Sequence, residues 1–289
     1  MQYRQPAIQL IPRRFSCRTY SAEPIGDAER RRLKDAAEAA TAGPLGGPLR
    51  FRLIAAAPED GRALRGLGTY GFIHGATGFL AGAAPRSPKH LEDFGYRMEE
   101  LVLLATDLGL GSCWLGGTYT QSSFAAMMSL EKTEDLPAVV SVGRIPDEPS
   151  ARRGLLRSMA GAHNRLPWSR LFFNGTPDRP LTPEAAGRFA DALEMVRLGP
   201  SASNKQPWRI LRAGNDWHFF LERTPGYREG FFQQILRLVD LQRIDLGIAM
   251  CHFELAAAEL GRRGTWSSRS SAAQMDGGME YIVSWSEGN

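Results

Sequence analysis

Three short stretches of the chain gather residue types suited to holding a phosphorylated, flat ligand. The first, Arg13-Arg14-Phe15-Ser16-Cys17-Arg18-Thr19-Tyr20, sets three guanidinium groups around one serine. A guanidinium fork and a hydroxyl both donate to phosphate oxygens, so this box is suited to gripping an anion. The second, Pro200-Ser201-Ala202-Ser203-Asn204, places hydroxyls and an amide in a Gly-Pro-led loop just before the apolar run WRILRA. The third, Gly109-Leu110-Gly111-Ser112-Cys113-Trp114-Leu115-Gly116-Gly117, has the glycines that let backbone N–H groups approach a planar ring. No Ser/His/Asp or Cys/His constellation, phosphate loop or metal box accompanies them, so neither a protein nucleophile nor a metal is expected. His74 and His252 have no acid partner nearby in sequence and read as structural, Cys113 reads as a small buried hydrophobe, and Pro207-Trp208 reads as a core anchor.

The elements that must carry these stretches come in two copies. EDFGYRMEELVLLATDLGLGSCW, from Glu92 to Trp114, aligns without gaps on IDLGIAMCHFELAAAELGRRGTW, from Ile244 to Trp266, every pair being 152 residues apart (245 − 93). Met98, Leu101, Val102, Ala105 and Leu108 in one copy, and Met250, Phe253, Ala257 and Leu260 in the other, recur at helical spacing. Gly109 and Gly261 then suit left-handed C-terminal caps. A capped helix is predicted to open each half, at Asp27 and at Thr182-Pro183. Strands are predicted at LRFRLIAA, PAVVSVGRI, WRILRA and MEYIVSW. The implied organisation is two helix-and-sheet units, 1–165 and 166–289, joined around 150–170. They are either independent domains or a fused pair sharing a site.

The copies have lost different parts. Where the second half has Pro200 to Asn204, the first has the shorter, apolar Pro44-Leu45-Gly46-Gly47. Where the first has its basic box and glycine turn, the second reads WSRLFFNG and Gly261-Arg262-Arg263-Gly264-Thr265-Trp266. The intact parts complement one another across the halves.

Composition narrows the class. The chain has 289 residues, 43% hydrophobic and 23% charged, enough for a core and its cover. Its formal charge of +4 comes from interspersed arginines and acids, as in DAERRRLKDAAE, which reads as a solvated helix face and not a nucleic-acid stripe. Three scattered cysteines argue against a disulfide framework, and no apolar run reaches the length of a signal core or a bilayer span. A cytoplasmic protein that binds neither nucleic acid nor membrane is expected.

RRFSCRTY, GPSASNKQPWRI and GLGSCWLGG, in this order and with the repeat, resemble the three signature segments of the flavin-dependent nitroreductase superfamily. The arrangement is similar to its tandem members, in which two units are fused in one chain. The resemblance implies an α+β, FMN-dependent nitroreductase-like fold in two copies packed as an intramolecular pseudo-dimer, acting as a monomer or associating further. It implies FMN between the halves, with one competent and one degenerate site. Arg14 and Ser16 match residues that hold the FMN phosphate, and Arg18 matches a basic residue near the ribityl chain or ring edge. Leu115, Gly116 and Gly117 match the turn facing the ring, with the Gly116 N–H a candidate donor to flavin N5. Pro200, Ser201, Ala202 and Asn204 match the loop from across the interface, and Arg152 or Arg153 matches a further phosphate cation. Phe15 stands where the family commonly has Arg or His, and His74 where related tandem proteins have Lys. The implied activity is ping-pong hydride transfer from NAD(P)H through flavin N5 to a small acceptor such as a nitroaromatic, quinone or activated alkene. The alternative is a non-catalytic flavin-binding or interaction protein on a degraded nitroreductase fold. Substrate choice would lie in loops 60–75 and 223–240.

Overall fold

The computed structural model describes residues 1–55, 64, 66–147, 164–227, 239–268 and 278–288. Arg152, Arg153, a minor part of loop 60–75 and most of loop 223–240 lie outside the described residues.

Each half builds one sheet. In the first, β1 (Arg50–Ala55), β2 (Gly78–Pro85), β5 (Val139–Arg144) and β3 (Leu110–Leu115) lie side by side in that order, all antiparallel, with β4 (Glu134–Asp135) on β2. In the second, β8 (Trp208–Ala213), β9 (Asp216–Leu221), β11 (Glu280–Glu287) and β10 (Gly264–Ser267) repeat the same antiparallel path. There β6 (Phe172–Asn174) joins β8 in parallel, and β7 (Thr176–Pro180) extends the edge. GLGSCWLGG is therefore mostly a strand, with only Gly116 and Gly117 beyond its end.

The helices in chain order are α1 (Ala7–Arg13), α2 (Asp27–Ala39), α3 (His90–Asp107), α4 (Gln121–Met127), α5 (Trp168–Leu171), α6 (Pro183–Ala186), α7 (Ala190–Leu198) and α8 (Leu241–Glu259). The repeated helices α3 and α8 are buried nearly all round, α3 with several carboxylates among its buried residues, as befits helices packed between two sheets. They cross where their equivalent glycines meet. A Cβ on Gly95 would lie 2.3 Å from the Ile244 carbonyl oxygen, and one on Gly247 would lie 2.1 Å from that of Glu92. Ile244 is the repeat counterpart of Glu92, so the contact is self-complementary, as at the interface of a two-fold dimer. Side chains are exchanged too. Ile244 and Ile248 of α8 enter the first half's core, and Tyr96 and Leu103 of α3 enter the second's. These observations make the fold two repeated helix-and-sheet units packed as an intramolecular pseudo-dimer.

Helix starts differ from expectation in one half. Thr182 caps α6 as predicted, its hydroxyl accepting the Ala185 N–H at 3.2 Å. Asp27 is no cap, because Gly26 takes the extended cap conformation and Asp27, already helical, pairs with Arg30 at 2.9 Å. The run after Thr182 also breaks at the 3-10 turn Gly187–Phe189, with Gly187 at positive φ.

The N-terminal segment is threaded between the ends of the two long helices. Asp107 accepts the N–H groups of Arg4 and Gln5 at 2.9 and 3.1 Å, and its repeat counterpart Glu259 accepts those of Ala7 and Ile8 at 2.5 and 3.1 Å. Glu259 thus caps α1, which has no side-chain cap of its own. Although α1 opens the chain, Ala7, Leu10 and Ile11 are buried in the second half's core, which delivers the basic box to the boundary between the halves.

Candidate functional site

Next to this boundary lies a cavity of about 470 Å³, within the range of ligand pockets. Its lining is drawn from both halves. Ser16, Arg18, Phe72 and the run from Cys113 to Thr118 come from the first, and Pro200 to Ser203 come from the second, along with Leu241, Ile244, Asp245 and Ile248 of α8. Larger recesses occur at Arg32 and Arg97 and around Tyr20 and Arg144, but each is lined by one half alone.

Each wall has a local cause. The basic box lies along β3: the Cys17 N–H donates to the Ser112 carbonyl at 2.8 Å, and Ser16 bridges Ser112 in parallel. Gly111 permits this, since a Cβ there would lie 2.8 Å from Cys17. The Arg18 carbonyl accepts the His74 N–H at 2.9 Å, tying the box to the segment that bears Phe72. At Gly117 a Cβ would meet nothing within 4 Å, so open space lies over the backbone; at Gly116 it would meet Leu241 of the other half at 2.6 Å.

The Ser/Asn loop is held from inside. Ala202 donates its N–H to Asp245 at 3.0 Å, and the Ser201 hydroxyl accepts the Gln206 N–H at 2.9 Å. Ser203, Asn204 and Gln206 all have positive φ, near 50°, a concentration of left-handed non-glycine backbone that is costly and clusters at functional sites. Asp245 is buried, and that burial raises its pKa well above the ordinary carboxylate range despite the opposing Ala202 hydrogen bond.

Of the sequence-derived residues, Ser16, Arg18, Leu115, Gly116, Gly117, Pro200, Ser201 and Ala202 surround this one cavity. Arg14 and Asn204 stand outside its lining. Arg14 is buried and borders a neighbouring recess of about 390 Å³ with Phe15 and Ser112. Asn204 is turned towards residues before α5. Its side-chain Oδ1 accepts from Arg165 and its side-chain amide N–H donates to the Asn164 carbonyl at 2.9 Å.

His252 does have an acid partner, contrary to the sequence reading. Fully buried, its Nε2 lies 2.9 Å from Glu99 Oε1 and its Nδ1 bonds the Met195 carbonyl at 2.9 Å. The acid was missed because it belongs to the other half, 153 residues away. Glu99 Oε2 accepts the indole N–H of the cavity-lining Trp114 at 2.9 Å, and Arg14 Nε lies 3.9 Å from Oε1. One buried carboxylate thus ties the basic box, the glycine strand and the helix that leads into the Ser/Asn loop.

The thiols are poor nucleophiles. Burial pushes Cys17 up to about 12 and raises Cys113 against the fields of Arg18 and Arg14. Among the described residues no cluster of three His, Cys, Asp or Glu could hold a metal, and no helix is long and apolar enough to cross a membrane.

The chain belongs to the family described as "Putative TM nitroreductase", which it matches over residues 7–257. It is similar over 99% of its length, and over 95% of the other chain, to a "putative nitroreductase" crystal structure from Thermotoga maritima, at 19% identity and a TM-score of 0.60. A nitroreductase family protein from Clostridium difficile matches 59% of this chain with 96% of its own, at 20% identity and a TM-score of 0.41. A "putative nitroreductase" in complex with FMN from Desulfovibrio desulfuricans matches 50% with 88%, at 24% identity and a TM-score of 0.39. No curated protein matches. Membership of a nitroreductase family points to oxidoreductase chemistry on a small molecule.

Proposed function

We propose that this chain is an FMN-dependent oxidoreductase with one competent cofactor site, formed between its halves at about 1–165 and 166–289. The observation that carries the reading is the convergence of Ser16 and Arg18, the Leu115 to Gly117 turn and the Pro200 to Ala202 loop on one cavity. The residues fit the group. The lining is largely apolar, space stands open over Gly117, and close by a buried Arg14 has an Nε without an acceptor.

FMN, when bound, supplies a ring that takes hydride from NAD(P)H and passes it to a small acceptor such as a nitroaromatic, quinone or activated alkene. The chain's own part is binding, orientation and electrostatics. Arg14 and Ser16 would hold the phosphate, with Arg152 or Arg153 as a further cation. Arg18 would offset negative charge at the ring edge. Leu115 and Gly117 would back the ring, the Gly116 N–H would donate at N5, and Pro200, Ser201 and Ala202 would close over the ring, with Asn204 bracing their loop. Phe72, 54% exposed at the cavity, offers an aromatic face to planar substrates. Donor and acceptor would use one open face in turn, and a single chain in the cytoplasm would suffice as a pseudo-dimer.

The test is the visible spectrum of the purified protein, with flavin counted per chain and NADH or NADPH added anaerobically. About one FMN per chain, bleached by nicotinamide, with parallel initial-rate lines for donor and acceptor, is the expected result. A chain that refuses FMN overturns the reading, whereas binding without bleaching by either donor makes it a flavin-binding protein without turnover.

A further inference from the structure

Two cations of this region, Arg14 and Arg165, are short of acid partners among the described residues. Among the described residues Arg14, with its side chain 4% exposed, has one carboxylate in reach, Glu99 at 3.9 Å, and both oxygens of Glu99 already serve His252 and Trp114. Arg14 Nε has no acceptor. At the junction of the halves stands Arg165, in the segment before α5, which the sequence motifs did not single out. Its Nη1 donates to the Asn204 side chain and its Nη2 to the Leu198 carbonyl at 2.8 Å, both neutral acceptors. Its Nε is buried without an acceptor. Burial, with the fields of Arg14 and Arg197 added to it, brings the pKa of Arg165 down to about 10. Arg197 has Glu194 at 2.6 Å, whereas among the described residues Arg165 has no acid at ion-pair distance.

Burying like charges together with a single distant, shared carboxylate is costly, and proteins offset such a cost with a bound anion or leave it unmade. The rigid bracing also sets a direction. Asn204 lies in the same short turn, Ala202–Asn204, as the cavity-lining Ala202 and Ser203, so Arg165 is fixed directly behind the cavity wall.

We infer that Arg165 is a further ligand-binding residue, a guanidinium that the segment joining the halves contributes, beside Arg14, to the anionic end of the bound molecule. This deepens the proposed function and rests on it: the anion is the phosphate of the flavin nucleotide. Asn204 then acts on the ligand through Arg165, as a positioning residue.

FMN and riboflavin differ only in the phosphate, so their affinities for the full-length chain, stripped of flavin, separate the possibilities. In the wild type FMN should bind at least about a hundredfold more tightly than riboflavin, from two charge-assisted contacts. Inorganic phosphate should weaken FMN binding and leave riboflavin binding unchanged. Arg165→Met should lower FMN affinity at least about tenfold with riboflavin affinity unchanged, and Arg165→Lys should recover part of the difference. If Arg165 merely braces the loop, the two flavins weaken together in Arg165→Met, and that outcome overturns the inference. A wild type that binds both flavins equally overturns it without any variant. A wild type that binds neither fails the proposed function itself, a separate result.

Discussion

The two Asp-anchored loops are the most instructive pair in the molecule. Asp93 and Asp245 occupy the same position in the repeat, and each reaches back to hold the Gly-Pro loop of its own half. Around Asp93 the loop is reduced to fit the carboxylate. Leu45 and Gly47 donate their N–H groups at 2.8 and 2.7 Å, and a Cβ on Gly43 or Gly47 would collide with the Asp93 side chain. Around Asp245 a single residue, Ala202, donates, and the rest of the loop keeps its polar side chains beside the cavity. The backbone device has been retained in both copies while the equipment around it diverged, as expected if only one site needs to grip a ligand.

That comparison can be broken at several points, in order of expected effect. Gly247→Ala forces a methyl against the Glu92 carbonyl in a contact that backbone alone can relieve, so it should cost about 3 kcal/mol or more in denaturant unfolding and lower flavin content with it. His252→Ala leaves the buried Glu99 carboxylate without one of its two close partners and should cost about 3 kcal/mol. Cys251→Ala, at the position equivalent to Glu99, should cost only about 1 kcal/mol, so the same melts test whether the pin exists on one side alone. Asp245→Ala and Asp93→Ala should each cost about 2 kcal/mol, yet only the former should weaken flavin binding, by about tenfold or more in a titration. Equal flavin losses in the two would sink the idea of one competent site.

Asp245 also predicts a pH dependence. Its pKa is raised in the folded protein, so its contribution is fully present below the unfolded value near 3.8 and is lost as pH rises through the folded value. Wild type should therefore lose stability relative to Asp245→Asn as pH climbs from the acid range towards neutrality, in paired melts across pH. Smallest of all is the contrast between helix starts: Thr182→Ala should cost about 1 kcal/mol, and Asp27→Ala only a few tenths.

Much of the fold was legible because its signals are local. Helical spacing located α3 and α8, WRILRA marks β8 to the residue, and Gly109 and Gly261 take the left-handed conformation the caps required. Less legible were β2, a fully buried Ala/Gly-rich strand without alternation, and the break at Gly187, where one periodic run becomes two helices. At the site, types and order pointed to the three segments that share the cavity. They did not disclose that the Asn204 side chain turns to Arg165, or that Asp245 lies in the cavity wall.

From its own residues the chain determined the two-fold repeat, the helix and strand periods, and the complementary loss of polar equipment, all properties of neighbours along the backbone. Only the tertiary structure decided which groups satisfy one another across the halves: Glu99 with His252, Gly95 against Ile244, and Arg165 behind the loop that carries Ala202. The first two of those pairings depend on how two glycine-bearing helices cross. A buried polar group takes whatever partner that crossing brings within about 3 Å, however far away it lies in sequence.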